Sequence, residues 1–318
     1  MSGDEKNMKH YGKIAVLAGG RSSEREISLE SGRAVCGALK KKNQDVELID
    51  VAGDVNVLLK NSGADIIFLA LHGRFGEDGT VQSILEREGI PYTGSGVKAS
   101  QLAMDKLASK ELFLKNGLKV PSHRIVRTAV GGRDTSVDLK MPLVIKPQRE
   151  GSSMGLSIVT DGAHIDAALD IAFGYGGAAI VEEYIHGREL TVGILEDRVL
   201  PVVEIVTERG TYDFRAKYLD GGTRYIVPAE LAPDEFERAQ RSALMAHRIL
   251  GCRDFSRVDM RMDPNGNIYV LEVNTIPGMT ERSLLPKAAM ATGISFENLC
   301  MKLVDLAHER GRKKNGER

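Results

Sequence analysis

Charged side chains near the C-terminal end of the chain are spaced as in a metal site. Two strand-like runs flank Asn265-Gly266, a pair that favours a two-residue type I′ hairpin turn because both residues need a positive φ. With that turn, Asp259 faces Glu272 across the ribbon, and Arg257 faces Asn274 on the same side. Opposed carboxylates repel one another, so a divalent cation with oxygen ligands is their simplest partner. The alternative is an ordinary surface hairpin with solvated charges.

The same register extends towards the turn. It predicts that Arg261 faces Val270 and that Asp263 faces Ile268. A loop with an odd number of residues would shift every facing pair by one position. The opposite face of the hairpin is predicted to be apolar, with residues Met260, Leu271 and Val273.

Two lysines and a glycine-rich segment could bind phosphate. Lys146 ends an apolar strand and precedes the glycine- and serine-rich residues 148–155. A lysine there acts as a point charge for a nucleotide, and the loop can offer backbone N–H groups. Lys106 opens a predicted helix, and Glu182 and Glu189 bracket the end of a strand, where they could hold a ribose or an adenine amino group. The alternatives are surface lysines and solvated carboxylates.

Alternating strands and helices at the N-terminus predict a small parallel α/β unit, with strands at 13–18, 46–51 and 66–71. Glycine-rich loops follow the first and third strands. Because ligands bind beyond the carboxyl ends of parallel strands, Glu24 and His72 should face one crevice. The first loop lacks the Gly-x-Gly-x-x-Gly pattern, which argues against a dinucleotide site.

The remaining chain predicts mainly antiparallel sheets with amphipathic helices. The predicted strands are 142–147, 156–159, 178–185, 189–194 and 199–206, and the predicted helices are 104–114, 233–250 and 295–310.

Composition excludes several classes of protein. The 318 residues carry 43 basic and 44 acidic side chains, a net charge of −1, which provides no field for nucleic acid. No apolar run is long enough to span a membrane. Cys36, Cys252 and Cys300 have no metal-ligand spacing and are typical of thiols in a reducing compartment. We therefore expect a cytoplasmic protein with no nucleic-acid or membrane partner.

Eight segments, in this order, resemble those of the D-alanine–D-alanine ligases, which are ATP-grasp enzymes. They are Gly-Gly-Arg-Ser-Ser-Glu-Arg-Glu at 19–26, His-Gly-Arg-Phe-Gly-Glu-Asp-Gly at 72–79, Tyr-Thr-Gly-Ser-Gly at 92–96, Met-Asp-Lys at 104–106, Lys-Pro-Gln-Arg-Glu-Gly-Ser-Ser-Met-Gly at 146–155, Ala-Lys-Tyr at 216–218, Arg-Val-Asp at 257–259 and Glu-Val-Asn-Thr-Ile-Pro-Gly-Met-Thr at 272–280.

The resemblance implies an ATP-grasp fold, which is α/β with an α+β C-terminal part. A parallel α/β domain at 1–97 would precede a central subdomain at 98–186 and a C-terminal subdomain at 187–318, which sandwich the nucleotide. The implied activity is ATP-dependent ligation of two D-alanine molecules through an acyl phosphate, for peptidoglycan precursor synthesis. The alternative is a D-alanine–D-lactate ligase or another ATP-grasp carboxylate ligase. The resemblance also implies a homodimer.

The resemblance assigns roles to matching residues. ATP would contact Lys106, Lys146, Ser152, Ser153, Glu182, Glu183, Ile185, Glu189 and Lys217. Two Mg²⁺ or Mn²⁺ ions would bind Asp259, Glu272 and Asn274. The two D-alanine molecules would contact Glu24, His72, Arg257, Gly278, Ser283 and Leu284. Arg257 and the Gly278 N–H would stabilise the oxyanion, and Glu24, Ser152 and Tyr218 would form a hydrogen-bonded group. Tyr218 favours the dipeptide product, because lactate-using relatives typically carry His there.

Overall fold

Three β-sheets organise the part of the chain that the computed structural model describes, which is residues 9, 11–128, 138–207, 222–314 and 316. The first sheet is parallel and the other two are antiparallel. This confirms the predicted α/β class with an α+β C-terminal part. The domain boundaries predicted after residues 97 and 186 stay a prediction.

The N-terminal sheet has the strand order β2-β1-β3. Strands β1 and β3 are buried along their whole length, which explains why they are continuous apolar runs. The three strands were predicted within two residues of their ends, whereas helices α2 and α3 were not predicted. The elements are β1 (Ile14–Ala18), α1 (Arg25–Lys41), β2 (Val46–Asp50), α2 (Val55–Ser62), β3 (Ile66–Leu69) and α3 (Thr80–Glu88).

The second sheet has the order β4-β7-β5-β6, and one apolar cluster joins it to α6. Helix α5 ends before Gly117, whose φ of 81° fits the predicted stop signal. The elements are α4 (Val97–Met104), α5 (Lys106–Lys115), β4 (His123–Arg127), β5 (Leu143–Pro147), β6 (Ser157–Val159), α6 (Ile165–Phe173) and β7 (Ala178–Glu183).

The third sheet has the order β10-β9-β8-β11-β12. Its apolar face packs on α7 in one core cluster, while α8 and α9 share a second cluster with the N-terminal sheet. The elements are β8 (Arg188–Leu195), β9 (Arg198–Val206), β10 (Arg224–Ile226), α7 (Pro233–Ile249), β11 (Phe255–Met262), β12 (Ile268–Asn274), α8 (Leu284–Met290) and α9 (Phe296–Lys314).

The outer half of the β11–β12 hairpin departs from the predicted register. Its loop has three residues, 264–266, because the Asp263 N–H donates to Asn267 O at 3.0 Å. Of the Asn-Gly pair only Gly266 has a positive φ, 75°, so the turn is not type I′. The predicted pairs of Arg261 with Val270 and Asp263 with Ile268 are therefore wrong. Instead Arg261 faces Tyr269, and Met262 faces Ile268.

A β-bulge at Leu271 restores the predicted pairs at the inner end of the hairpin. The register shifts between Asp259 and Met260, so that Asp259 faces Glu272 as predicted. Arg257 faces Asn274, also as predicted. Because a bulge interrupts the alternation of side chains, Leu271 and Glu272 both line the cleft described below. The placement of Leu271 on the apolar face was wrong.

The three cysteines are free thiols, as predicted. Cys36 and Cys300 are buried and Cys252 is partly buried. Within the described residues, every helix is too short or too polar to cross a membrane.

Candidate active site

A cleft lies between the second and third sheets. Apolar side chains from both sheets line part of it, among them Val144, Ile158 and Leu271. The lining also includes most of the residues predicted to contact ATP, and most of these are charged. These are Lys106, Lys146, Ser153, Glu182, Glu183, Ile185 and Glu189.

Two buried lysines share one buried carboxylate in this cleft. The Glu182 carboxylate lies 2.9 Å from Lys146 Nζ and 3.0 Å from Lys110 Nζ. Burial alone would raise the pKa of Glu182, but the two ammonium groups outweigh it and lower the pKa to about 2. Burial lowers the pKa of Lys110 to about 8. The sequence reading missed Lys110, although its position four residues after Lys106 puts both on one helix face.

The first residues of α5 anchor the glycine-rich loop. Asp105 caps the helix through the Ala108 N–H, and its carboxylate also accepts hydrogen bonds from Gln148 at 2.7 Å and Arg149 at 2.6 Å. Next to it, Lys106 donates to the Glu150 carbonyl oxygen. Asp105 and Lys106 therefore both hold the loop in place. Asp105 was not among the site residues predicted from sequence.

The loop at 148–155 separates the cleft from a second cavity. Ser153 lines the cleft, whereas Ser152 lines the cavity and donates its hydroxyl hydrogen to the Glu24 carboxylate. Ser152 and Ser153 have φ values of 46° and 58°, a left-handed conformation that is costly for residues with a side chain.

The second cavity brings together most of the residues predicted to bind D-alanine. It takes residues from the N-terminal unit, the loop and the hairpin. Glu24, at the start of α1, is buried and lines one side of the cavity. The predicted residues that line the cavity are Glu24, His72, Ser152, Arg257, Glu272, Asn274 and Gly278.

His72 is a neutral hydrogen-bonding residue in this cavity. Burial lowers its pKa to about 4. Its Nδ1 lies 3.0 Å from the Ile276 carbonyl oxygen, which can only accept, so Nδ1 carries the proton. Its Nε2 then accepts from the Ser31 hydroxyl at 3.0 Å, and Ser31 accepts from the Met279 N–H. His72 therefore ties the N-terminal unit to residues 276–279.

Glu77 is a second carboxyl group in the cavity, and it was not among the predicted site residues. It accepts a hydrogen bond from the Gly73 N–H at 2.7 Å. Burial, reinforced by the nearby charge of Glu24, raises the pKa of Glu77 to about 8. The group is therefore mostly protonated at neutral pH. Its place within the quoted segment 72–79 was the signal that could have identified it.

The hairpin carboxylates are already hydrogen-bonded. Asp259 accepts from Arg257 at 2.8 and 2.7 Å, from Thr191 at 2.6 Å and from the Asn274 amide nitrogen at 3.0 Å. Glu272 lies 3.0 Å from Lys106 Nζ. Arg257 and Lys106 thus provide the positive charge that two opposed carboxylates require.

This donor set fits Mg²⁺ in the type and number of its ligands. Within the described residues, no three His, Cys, Asp or Glu side chains form a metal-binding group. The two carboxylates and the amide of Asn274 would leave the other positions to phosphate oxygens and water, which is how Mg²⁺ is commonly held. Asn274 would have to present its oxygen in place of its nitrogen.

Four predicted residues lie away from these two cavities or outside the described residues. Ser283 adjoins Gly278, where an added Cβ would lie 3.0 Å from the Ser283 hydroxyl. Leu284 is buried in the apolar cluster that α8 and α9 share with the N-terminal sheet. Neither lines the second cavity. Lys217 and Tyr218 fall outside the described residues.

Sequence profiles of one family match most of the chain. Residues 115–305 match the profile described as D-ala D-ala ligase C-terminus. Residues 13–63 and 54–95 match the profile described as D-ala D-ala ligase N-terminus.

Individual relatives are similar over nearly the whole chain. A D-alanine–D-alanine ligase of Pelobacter propionicus is 49% identical over 296 residues, 92% of this chain and 94% of that protein. The crystal structure of a D-alanine–D-alanine ligase from Bacillus anthracis complexed with ATP covers 96% of this chain and 100% of its own, with 34% identity and a TM-score of 0.83. The VanG D-Ala:D-Ser ligase of Enterococcus faecalis covers 94% and 100%, with 32% identity and a TM-score of 0.79.

Proposed function

Because the chain belongs to the D-alanine–D-alanine ligase family, we propose that it joins two D-alanine molecules while ATP is converted to ADP and phosphate. The observation that carries this proposal is the junction of the two cavities. Glu272 lines both of them, and Ser152 and Ser153 line one each. A γ-phosphate in the cleft would therefore meet a carboxylate substrate in the second cavity. The product, D-alanyl-D-alanine, would serve peptidoglycan synthesis.

One end of the cleft would bind the phosphates of ATP through charge, and the other end would contact the adenosine. Lys106 and Lys146 would neutralise phosphate oxygens, and the N–H groups around Ser152 and Ser153 would cover them. Glu182, Glu183, Ile185 and Glu189 would contact the adenosine. Lys217 would be a further contact.

Asp259, Glu272 and Asn274 would hold two Mg²⁺ or Mn²⁺ ions. When bound, these ions would supply positive charge that offsets the negative charge of the phosphates. Lys106, which now pairs with Glu272, would then be released to contact phosphate.

The first D-alanine would bind in the second cavity. Glu24 would accept hydrogen bonds from its ammonium group, and His72, being neutral, would contribute no competing charge. Its carboxylate would attack the γ-phosphate, which forms an acyl phosphate and breaks the bond to ADP. The amine of the second D-alanine, placed with the help of Ser283 and Leu284, would lose a proton and attack the acyl carbon. Phosphate then leaves.

Arg257 and the Gly278 N–H would stabilise the oxyanion formed in that attack. Both line the second cavity, and donors preorganised around an oxyanion contribute roughly 10²- to 10³-fold each to the rate. The loop at 148–155, tied to Glu24 through Ser152, would keep water from the acyl phosphate. Tyr218 would complete this hydrogen-bonded group.

The direct test is product formation by the purified protein. With ATP, Mg²⁺ and D-alanine we expect phosphate release and one D-alanyl-D-alanine per phosphate, measured by a colorimetric phosphate assay and mass spectrometry. D-lactate or D-serine as the second substrate should give little product at neutral pH, and L-alanine should give none. Absence of phosphate release with D-alanine would reject the proposal. A predominant depsipeptide or D-alanyl-D-serine product would retain the reaction type and reject the substrate.

We also propose that the protein is a cytoplasmic homodimer. Support comes from the family resemblance for the dimer and from the free thiols for the compartment. Light scattering of the purified protein at micromolar concentration should give twice the chain mass, and a monomer mass would reject the dimer.

A further inference from the structure

Arg261 is a buried arginine on the wall of the nucleotide cleft, and neither the proposed chemistry nor the phosphate site uses it. Strand β11 pairs with β8 in unbroken register, so Arg257, Asp259 and Arg261 alternate onto the same face. That face is the one that lines the cleft. Arg261 is 7% exposed and stands directly beside Glu189 on the neighbouring strand.

The guanidinium of Arg261 is held on three sides. Nη1 donates to Glu189 Oε2 at 3.0 Å, and Nη2 donates to the Gly187 carbonyl oxygen at 3.0 Å. Its central carbon lies 4.8 Å from the centre of the Tyr184 ring, a cation–π contact. The group is therefore fixed in orientation before any ligand arrives.

One nitrogen of this fixed group has no hydrogen-bond partner within the described residues. This nitrogen is Arg261 Nε, and it is buried. Leaving a buried donor of a charged group unsatisfied is costly, so such a group calls for a partner. Arg261, Tyr184 and Glu189 all line the cleft, so an acceptor atom of a ligand bound there could satisfy this donor.

We propose that Arg261 positions and selects the nucleoside: it orients Glu189 as an acceptor for the ribose hydroxyls, and its Nε–H donates to an acceptor atom of the nucleoside. This deepens the proposed function, on which it rests for the identity of the nucleotide. A site built to hydrogen-bond a hydroxyl discriminates strongly against an analogue that lacks it, because its own polar groups are then unpaired. Arg261 thus gives the cleft a preference for a ribonucleotide over its deoxy forms.

The experiment measures nucleotide binding and selectivity in three variants of the full chain. Arg261→Met roughly keeps the length of the side chain and removes its donors. Arg261→Lys keeps the positive charge but loses the planar arrangement of several N–H donors. Arg188→Met is the matched control, since Arg188 forms a comparable ion pair with Glu204 on the same sheet but does not line the cleft. Each protein is titrated by calorimetry, without D-alanine, with ATP, 2′-deoxy-ATP and 3′-deoxy-ATP, and is assayed for ligation with the same three nucleotides.

We expect Arg261→Met to weaken ATP binding and raise the KM for ATP by about 10- to 100-fold, since it removes hydrogen bonds to a charged group, with a much smaller change in kcat. The preference for ATP over the two deoxy analogues should fall by at least about fivefold. Arg261→Lys should show an intermediate loss, and Arg188→Met should match wild type. The KM for D-alanine should stay unchanged in all three.

A purely structural Arg261 would lower the melting temperature and leave the preference between ATP and its deoxy analogues unchanged, and that result overturns the proposal. If Arg261→Met does not fold, Arg261→Lys decides, and wild-type selectivity in it also overturns the proposal. The calorimetric arm is independent of ligation. A wild-type protein that binds ATP but makes no dipeptide rejects the proposed function alone, while the comparison of variants still tests Arg261.

Discussion

Two buried lysines share a single buried carboxylate at the phosphate end of the cleft. Lys110 and Lys146 both pair with Glu182, so two ammonium groups and one carboxylate leave a net charge of +1. A surplus positive charge out of water is unfavourable in the empty protein and favourable once a polyphosphate is bound. This explains why the two lysines cannot be exchanged for apolar residues without consequence for the ligand.

Removal of Glu182 should therefore destabilise the protein more than removal of Lys110. Glu182→Gln leaves two buried lysines without an anion, a loss of roughly 3–5 kcal/mol in unfolding free energy. Lys110→Met should cost less, because Glu182 keeps its partner Lys146. Urea denaturation measures both. Lys302→Met, which affects a half-exposed ion pair with Glu196, serves as the control and should stay close to wild type. Equal losses in the two buried variants would contradict the charge argument.

Among the residues that the structure describes, Glu272 alone lines both cavities. Glu272→Gln keeps the shape of the side chain and removes the charge that Lys106 or a metal requires. Ligation should fall at least about 100-fold at temperatures where the variant remains folded. The matched control, Glu204→Gln, alters a carboxylate on the same sheet that lines neither cavity and should keep its activity. Activity of Glu272→Gln within tenfold of wild type would remove Glu272 from the metal site.

At the scale of the element, the loop at 148–155 works by close contact with Glu24. A Cβ added at Gly151 would lie 2.8 Å from Glu24 Oε2, closer than such atoms normally approach. Gly151→Ala should displace the Glu24 carboxylate, the end of a flexible side chain, from its position in the second cavity. Because a displacement of about 1 Å in a reacting site can cost 10²-fold, kcat/KM for D-alanine should fall at least tenfold.

Gly177→Ala is the control for the loop variant. An added Cβ there meets its nearest atom, Thr128 Oγ1, at 3.5 Å, which is an ordinary contact. Steady-state kinetics measure kcat/KM of both variants, and thermal melting checks that both are folded. If Gly151→Ala and Gly177→Ala have the same kcat/KM, the contact between the loop and Glu24 has no part in catalysis.

Sequence alone predicted those elements whose pattern is local. The parallel strands are continuous apolar runs, and helix α7 is amphipathic with a clear glycine stop, so both were predicted. The hairpin turn was predicted wrongly because Asn-Gly was read without its neighbour, Pro264, and the bulge at Leu271 has no local signature. The pairs of Asp259 with Glu272 and of Arg257 with Asn274 were predicted correctly because the one-residue shift at the turn and the one-residue shift at the bulge cancel. Lys110 was missed because its partner, Glu182, is distant in sequence.

At the scale of the whole molecule, the N-terminal unit must be held in register with the hairpin, because the second cavity takes Glu24 from one and Arg257 from the other. Asp254 provides one such link. Its buried carboxylate accepts the Gly94 N–H at 2.8 Å and pairs with Arg310, which also donates to the Tyr92 carbonyl oxygen. Such contacts between distant segments have no signal in the motifs, although most of the site residues predicted from sequence do line the two cavities.

Asp254→Asn should test this link cleanly. Asp254 has a φ of 60°, a conformation that Asn also tolerates, so the change removes the charge without disturbing the backbone. Because Arg310 loses its buried partner, the unfolding free energy should fall by roughly 2–4 kcal/mol in urea denaturation. Asp197→Asn, in an exposed pair with Arg248, is the control and should remain near wild type. Matching values for the two variants would show that Asp254 does not hold the units together.

The three-residue turn and the bulge also divide the hairpin into two mechanically separate halves. The tip at Asn265 is exposed and lies beyond the bulge, so a change there need not reach the carboxylates of the inner half. Two of the native thiols are buried and the third is partly buried, which favours selective labelling of a newly introduced cysteine. A fluorophore on Asn265→Cys would therefore attach the protein's optical label to the outer half of the hairpin, at a position outside the reacting site.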